Sequence, residues 1–227
     1  MIKQYPASWL SGVSLGESIA CELRLQIIRG TIRPGEVLSE NRIAADFGTS
    51  RSPVREAMKT LSNEGLIRLE RMGAVVTGLS LKDVGELYDL RYLIESFVQE
   101  RLVGSDISEL LNTLGKIVDK MRLAAQHHDI VEFSYQDLSF HEAIITEANH
   151  TRILHLWKNI RQLVMTVMLI TTENVFKQGD EKVKTVIGKH EKLIEGLASG
   201  DAERIHEGVL IYFADSRTTL SKSIPNN

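Results

Sequence analysis

Apolar residues along this chain recur mostly at intervals of three and four, the spacing of one face of an α-helix, and give way only once to short β-prone runs. Three helices are predicted first: Leu15 to Arg29, closed by Gly30; Glu40 to Phe47, after Ser39; and Pro53 to Glu64, closed by Gly65. Ser39 and Ser52 are residue types that accept hydrogen bonds from orphan N–H groups at a helix start, and Pro53 suits a first helical turn. The two glycines can take the left-handed conformation just past a helix end. The β-prone runs, Ile67 to Glu70 and Val75 to Gly78, flank a tight Arg71-Met72-Gly73-Ala74 connection and predict a hairpin. From Ser80 onward no further strand is predicted, and no proline occurs before Pro225. Helices are predicted there at about Leu81–Val103, Ile107–Gln126, Asp129–Glu147, Thr151–Thr171, Glu181–Ala198 and Ala202–Lys222. The fold expected is mainly α, with three helices and a β-hairpin over residues 1–80, followed by an all-α bundle over residues 81–227.

Charge adds a contrast between these two parts. The net charge is −3 over 227 residues, yet residues 1–80 carry 10 Lys+Arg against 8 Asp+Glu, while residues 81–227 carry 17 against 22. A mildly basic head on an acidic body suits a polyanion-binding module joined to something else. No apolar run approaches the roughly 20 residues of a membrane span, and the first ten residues lack a basic stretch followed by an apolar one. A soluble, cytoplasmic protein is expected. The single cysteine, Cys21, excludes an internal disulfide and a multi-cysteine zinc module, and its place in an apolar helical pattern predicts a buried, inert thiol.

In the head, two helices separated by Gly48-Thr49-Ser50, the second opening on basic and hydroxyl residues, make a helix-turn-helix whose second helix can enter a major groove. Arg51 and Arg55 lie four apart and share a face, where a guanidinium can fork onto guanine or bridge phosphates. Ala57, Met58 and Leu61 supply the side that packs this helix down. The hairpin is then a wing, with Gly73 permitting close backbone approach and Arg68 or Arg71 within reach of a phosphate or a minor groove.

In the body, four helices each place something polar on an apolar stripe. Arg91 is in step with Val84, Leu87, Ile94 and Val98; Asp137 and His141 share a face with Phe133 and Ile144; His190 follows Val183 and Ile187; Tyr212 aligns with Ile205, Val209 and Ser216. Burying an unpaired polar group costs about 1–3 kcal/mol, so such residues converge on one another, on a metal or on a ligand. Taken singly, an interior histidine is an ordinary hydrogen-bonded core residue, and Arg91 with Glu95 also fits a surface ion pair. An Asp-His pair four apart plus a histidine from another helix can nevertheless surround a divalent ion with three N and O donors. The same two-His-one-Asp set describes metal-dependent enzymes, so an enzyme acting on a small carboxylate is the alternative. A helical interaction module without effector is a third. His127, His128, His150, His155 and His206 read as ordinary surface or core residues.

The strings Arg33-Pro34-Gly35-Glu36, Leu38-Ser39-Glu40, Ser50-Arg51-Ser52-Pro53-Val54-Arg55-Glu56-Ala57 and Glu64-Gly65-Leu66-Ile67, continued by Arg91, Asp137-x-x-Phe140-His141 and His190, resemble the GntR family of bacterial repressors and its FadR-type subgroup. That resemblance implies a winged helix-turn-helix followed by an all-helical effector (FCD) domain, and a homodimer on a palindromic double-stranded DNA operator. Its DNA contacts would come from Arg51, Arg55 and Gly73, with Arg42, Ser50, Ser52 and Arg71 as further candidates; the position after Glu40, an arginine in some members, is Asn41. It also implies a divalent metal, zinc, nickel or manganese, held by one Asp and three His. Asp137, His141 and His190 match, whereas Tyr212 stands where the third histidine is expected. The implied effector is a small carboxylate, a sugar acid of the gluconate type, met by Arg91, Tyr212 and Asn159.

Overall fold

The computed structural model describes residues 4–71 and 73–221. The chain divides into two compact units between Asp83 and Val84.

The first unit is built on α1 (Leu15–Ile28), capped by Ser14, whose side chain accepts a hydrogen bond from the Glu17 amide. Nearly every side chain of α1 from Ile19 to Ile28 is buried, the polar ones included, so each polar group needs a partner inside. Glu22 accepts from the Gln4 and Tyr5 amides and from Gln26 Nε2. Arg24 forks onto Glu64 with contacts of 2.7 and 2.6 Å and has no exposed side-chain surface. Cys21 is buried beside it, as predicted, and burial, opposed by Arg24, pushes its thiol up to about 11.

Helix α2 (Glu40–Phe47) ends at Gly48 with φ 63°, and the turn leads into α3 (Arg51–Asn63). Val54, Ala57, Met58 and Leu61 bury one face of α3, and α1 packs against it. The helix begins at Arg51, two residues before the predicted Pro53. The first-turn N–H groups of a helix have no intrahelical acceptor, so a proline in that turn forfeits no bond.

Strands β1 (Val37–Leu38), β2 (Ile67–Glu70) and β3 (Gly73–Val76) form an antiparallel sheet in the order β1-β3-β2. β2 has the predicted bounds, but β3 starts at Gly73 rather than Val75. The ladder with β2 accounts for the shift, since it pairs Leu69 with Ala74 and Glu70 with Gly73, while the unpredicted two-residue β1 pairs Val37 with Val75 and Leu38 with Ala74 on the other side. A short 3-10 turn at Ala7–Leu10 was likewise not foreseen; Trp9 there packs edge-on against Tyr5.

The second unit is all helical: α4 (Leu81–Arg101), which starts just before the division, then α5 (Ser108–Gln126), α6 (Ile130–Glu147), α7 (Thr151–Lys177), α8 (Asp180–Ser199) and α9 (Ala202–Ser221). α5 packs on α6 and α8, α6 on α7, and α8 on α9. Their order follows the prediction, except that α7 runs six residues beyond Thr171, with Val175 buried in the added turns. Among the described residues, no helix is long and apolar enough to cross a membrane.

Candidate functional site

The start of α3 presents its candidate residues outward. Arg51, Ser52 and Arg55 are exposed, as are Ser50, Arg42 on α2 and Arg71 at the wing. The Arg55 side chain is 61% exposed and is held through Nε by Glu40, at 2.9 and 3.1 Å. A guanidinium has five N–H donors, so this contact orients Arg55 while leaving donors for another acceptor. Ser50 occupies the N-cap position but makes no capping hydrogen bond, which leaves first-turn N–H groups able to meet a phosphate. Arg68 pairs with Glu70 within its own strand. Gly73 has φ 141°, and a Cβ there would lie 2.4 Å from the Leu38 carbonyl oxygen, so glycine is required by the chain's own packing against β1.

In the second unit the polar residues that interrupt the apolar stripes converge. Arg91 and Glu95 are both 1% exposed and form an ion pair along α4. Glu95 lies 2.6 Å from His141 Nδ1, and His141 Nε2 lies 2.7 Å from the Tyr212 hydroxyl and 3.4 Å from Asp137 Oδ1. His190 Nε2 lies 3.0 Å from the same Asp137 oxygen, while its Nδ1 is 2.9 Å from the Val186 carbonyl.

Two acceptors fix the histidine tautomers. An ionised Glu95 and a backbone carbonyl only accept, so both Nδ1 atoms carry hydrogen, and both Nε2 atoms turn toward Asp137. Each Nε2 donates to the carboxylate when its imidazole is protonated; deprotonated, it presents a lone pair that a cation can take. Burial works to raise the Asp137 pKa, but the His190 charge and the hydrogen bonds from both histidines outweigh it and hold the carboxyl well below the usual range. Glu95 is lowered in the same way, burial being overcome by His141 and Arg91. For His141, burial pulls down and the Glu95 carboxylate pushes up, with a raised pKa as the result.

These donors fit a divalent ion: Asp137, His141 and His190 each offer one ligand atom, all within 4.8 Å of one another, and outer acceptors orient both imidazoles. Tyr212 completes the group poorly. Burial, then Asp137, raises its hydroxyl well above the ordinary phenol range, so it is a neutral phenol at pH 7.

A small cavity of about 40 Å³, open to solvent, lies beside this cluster. Arg91, Asp137 and Tyr212 line it. Among the described residues, Arg91 Nη2 is buried without a hydrogen-bond partner, its contact with Glu95 being ionic in distance but not in direction. Asn159 does not join them. It is exposed, outside the cavity, because the part of α7 that lines the wall is Met168, Thr171, Thr172 and Val175, three turns further along. The sequence reading missed those wall residues together with Tyr88, Lys189 and Thr219. Tyr88, three residues before Arg91, and Thr219, seven residues after Tyr212, were detectable by helical spacing.

An exposed basic helix start beside a wing, and a helical body with a polar cavity in its core, define a ligand-responsive DNA-binding regulator. The chain belongs to the GntR family: the pattern of the bacterial regulatory proteins, gntR family, matches residues 15–76, and that of the FCD domain matches residues 86–214. It is 44% identical over 199 residues to the gluconate operon transcriptional repressor of Bacillus licheniformis, covering 88% of this chain and 82% of that one. To the repressor of the same description from Bacillus subtilis (strain 168) it is 45% identical over 197 residues, covering 87% and 81%. The solved structure of Escherichia coli McbR/YncC has a similar fold, with a TM-score of 0.69 and 19% identity over 92% of this chain and 98% of that one. The protein is thus a transcriptional regulator, and the enzyme alternative finds no support among these relatives.

Proposed function

We propose that this protein represses a sugar-acid catabolic operon, binding a palindromic operator as a homodimer and releasing it when a small carboxylate of the gluconate type enters the cavity. Residues 1–80 would read DNA through Arg51 and Arg55 in a major groove, with Arg42, Ser50, Ser52, Arg71 and Gly73 along the backbone or minor groove. Residues 81–227 would bind the effector and pair the subunits. The observation that carries the effector half is the buried Arg91 guanidinium on the cavity wall, whose Nη2 is ion-paired with Glu95 but makes no hydrogen bond and so can still donate to a carboxylate. Both gluconate-operon repressors above support the choice of sugar acid.

Asp137, His141 and His190 would hold a zinc, nickel or manganese ion, which when bound supplies positive charge for the effector's carboxylate. Glu95 and the Val186 carbonyl keep both imidazoles turned for that role. Tyr212, on the same wall, offers its hydroxyl to the ligand. The unliganded dimer would hold two recognition helices about 34 Å apart, one DNA turn, and ligand binding would favour another spacing. Release requires a differential affinity of only about 1–3 kcal/mol.

The test is a footprint on the protein's own promoter, repeated with gluconate. Protection of a palindrome that gluconate lifts is the expected result. Protection unaffected by gluconate and related aldonates, with no calorimetric heat, would remove the effector assignment and leave the repressor.

A further inference from the structure

The cavity has a second cation at its mouth. Lys189, on α8 next to His190, lines both the cavity and an open groove between α8 and α9, and its side chain is only 12% exposed. Its ammonium pairs with Asp215 of α9, whose side chain is 42% exposed and lines the groove but not the cavity. Asp215 therefore neutralises Lys189 from the solvent side. An ammonium carries three N–H donors, and Asp215 need take only one, so the others can face inward.

The neighbouring wall has the complementary chemistry. Thr171 and Thr219 both line the cavity; Thr219 donates to the Asp215 carbonyl, and Thr171 donates to the Val167 carbonyl, which leaves the Thr171 oxygen a lone pair able to accept from a ligand. The buried Arg91 guanidinium thus lies on the inner wall beside Asp137, and the charge-compensated Lys189 ammonium lies at the mouth, with apolar and hydroxyl side chains making up the remaining lining.

We infer that Lys189, compensated by Asp215, is a specificity-determining residue that reads the hydroxyl-bearing end of a monoanionic polyhydroxy acid and disfavours a ligand carrying a second carboxylate. This rests on the proposed sugar-acid function and adds to it a role for the ion pair at the mouth of the site. A second carboxylate would have to compete with Asp215 for Lys189, whereas a hydroxyl accepts from the ammonium with the ion pair intact.

Calorimetry on the full-length protein tests this, with gluconate as the monoanion and glucarate as the dianion of the same carbon chain. Wild type should prefer gluconate. Lys189→Met should weaken gluconate binding about tenfold or more, the scale of a lost charge-assisted hydrogen bond. Asp215→Asn, which leaves the ammonium uncompensated, should shift the preference toward glucarate by about tenfold. Circular dichroism melting verifies folding, and if Lys189→Met does not fold, the preference of Asp215→Asn decides alone. A wild type that prefers glucarate, or an unchanged preference in Asp215→Asn, overturns the inference and leaves the sugar-acid function standing. No binding of either acid to wild type overturns both.

Discussion

Arg55 and Cys21 are opposite kinds of residue, and each yields a prediction. Arg55 is exposed and contributes no core packing, so Arg55→Ala should melt within a degree or two of wild type while losing operator affinity by about tenfold or more, a base contact being worth about 1–3 kcal/mol. Fluorescence anisotropy on a promoter fragment measures it, and wild-type affinity would take Arg55 out of the interface. Cys21 favours its neutral form in the fold, its pKa rising from 9.0 to about 11. The stability tied to that preference is whole below pH 9 and is lost as pH climbs through about 11, by up to about 2.7 kcal/mol. Urea melts should therefore fall less steeply across this window in Cys21→Ala than in wild type; equal slopes would mean the thiol is solvated. Single residues were legible where they broke a pattern. Arg91, Asp137, His141, His190 and Tyr212 each interrupt an apolar stripe, and all five meet in one cluster. Their pairings were not legible, because the contact of Glu95 with His141 joins two helices and has no linear spacing. Lys189 looked like any surface lysine, and its Asp215 partner lies on another helix.

Among elements, the contact between α1 and the end of α3 carries the largest expected effect. Arg24 and Glu64 form a two-point fork with no exposed guanidinium surface, and removing Glu64 leaves the buried charge only the longer contact with Glu17 at 3.7 Å. Glu64→Ala should destabilise the DNA-binding unit by about 3–5 kcal/mol in denaturant melts, the usual scale for a broken buried pair. A loss below about 1 kcal/mol would mean water reaches the guanidinium. Gly73→Ala should displace the wing, since the backbone φ is 141° and the new carbon would collide with the Leu38 carbonyl. Operator affinity should fall, while melting of the isolated FCD-type helices, read by effector protection, stays as in wild type. Helix order and the hairpin were legible because their periodicities differ and glycines mark their ends. β1 was not, since a two-residue strand leaves no alternation to detect. The end of α7 was missed because Thr172 and Glu173 interrupt the apolar pattern before Val175 resumes it.

For the whole molecule, the proposed metal and DNA sites lie in different units. Addition of zinc to chelator-treated protein should raise the melting transition of the helical unit, by about 2.7 kcal/mol at a concentration one hundred times the dissociation constant. Asp137→Ala should abolish that rise. Calorimetry with and without chelator measures it, and an unchanged transition in wild type would make the Asp-His-His cluster a proton-filled core network. The domain order was legible from the charge contrast and from the single change of periodicity between residues 67 and 78, since a hairpin can be read as a wing only when a helix-turn-helix precedes it.

Concealment of Cys21 also has a practical use. With the one native sulfhydryl sealed in the core, maleimide dyes should leave the folded wild type unlabelled. A cysteine installed at the exposed Ser105 would then be the sole handle for a fluorophore, attached without prior removal of any native residue.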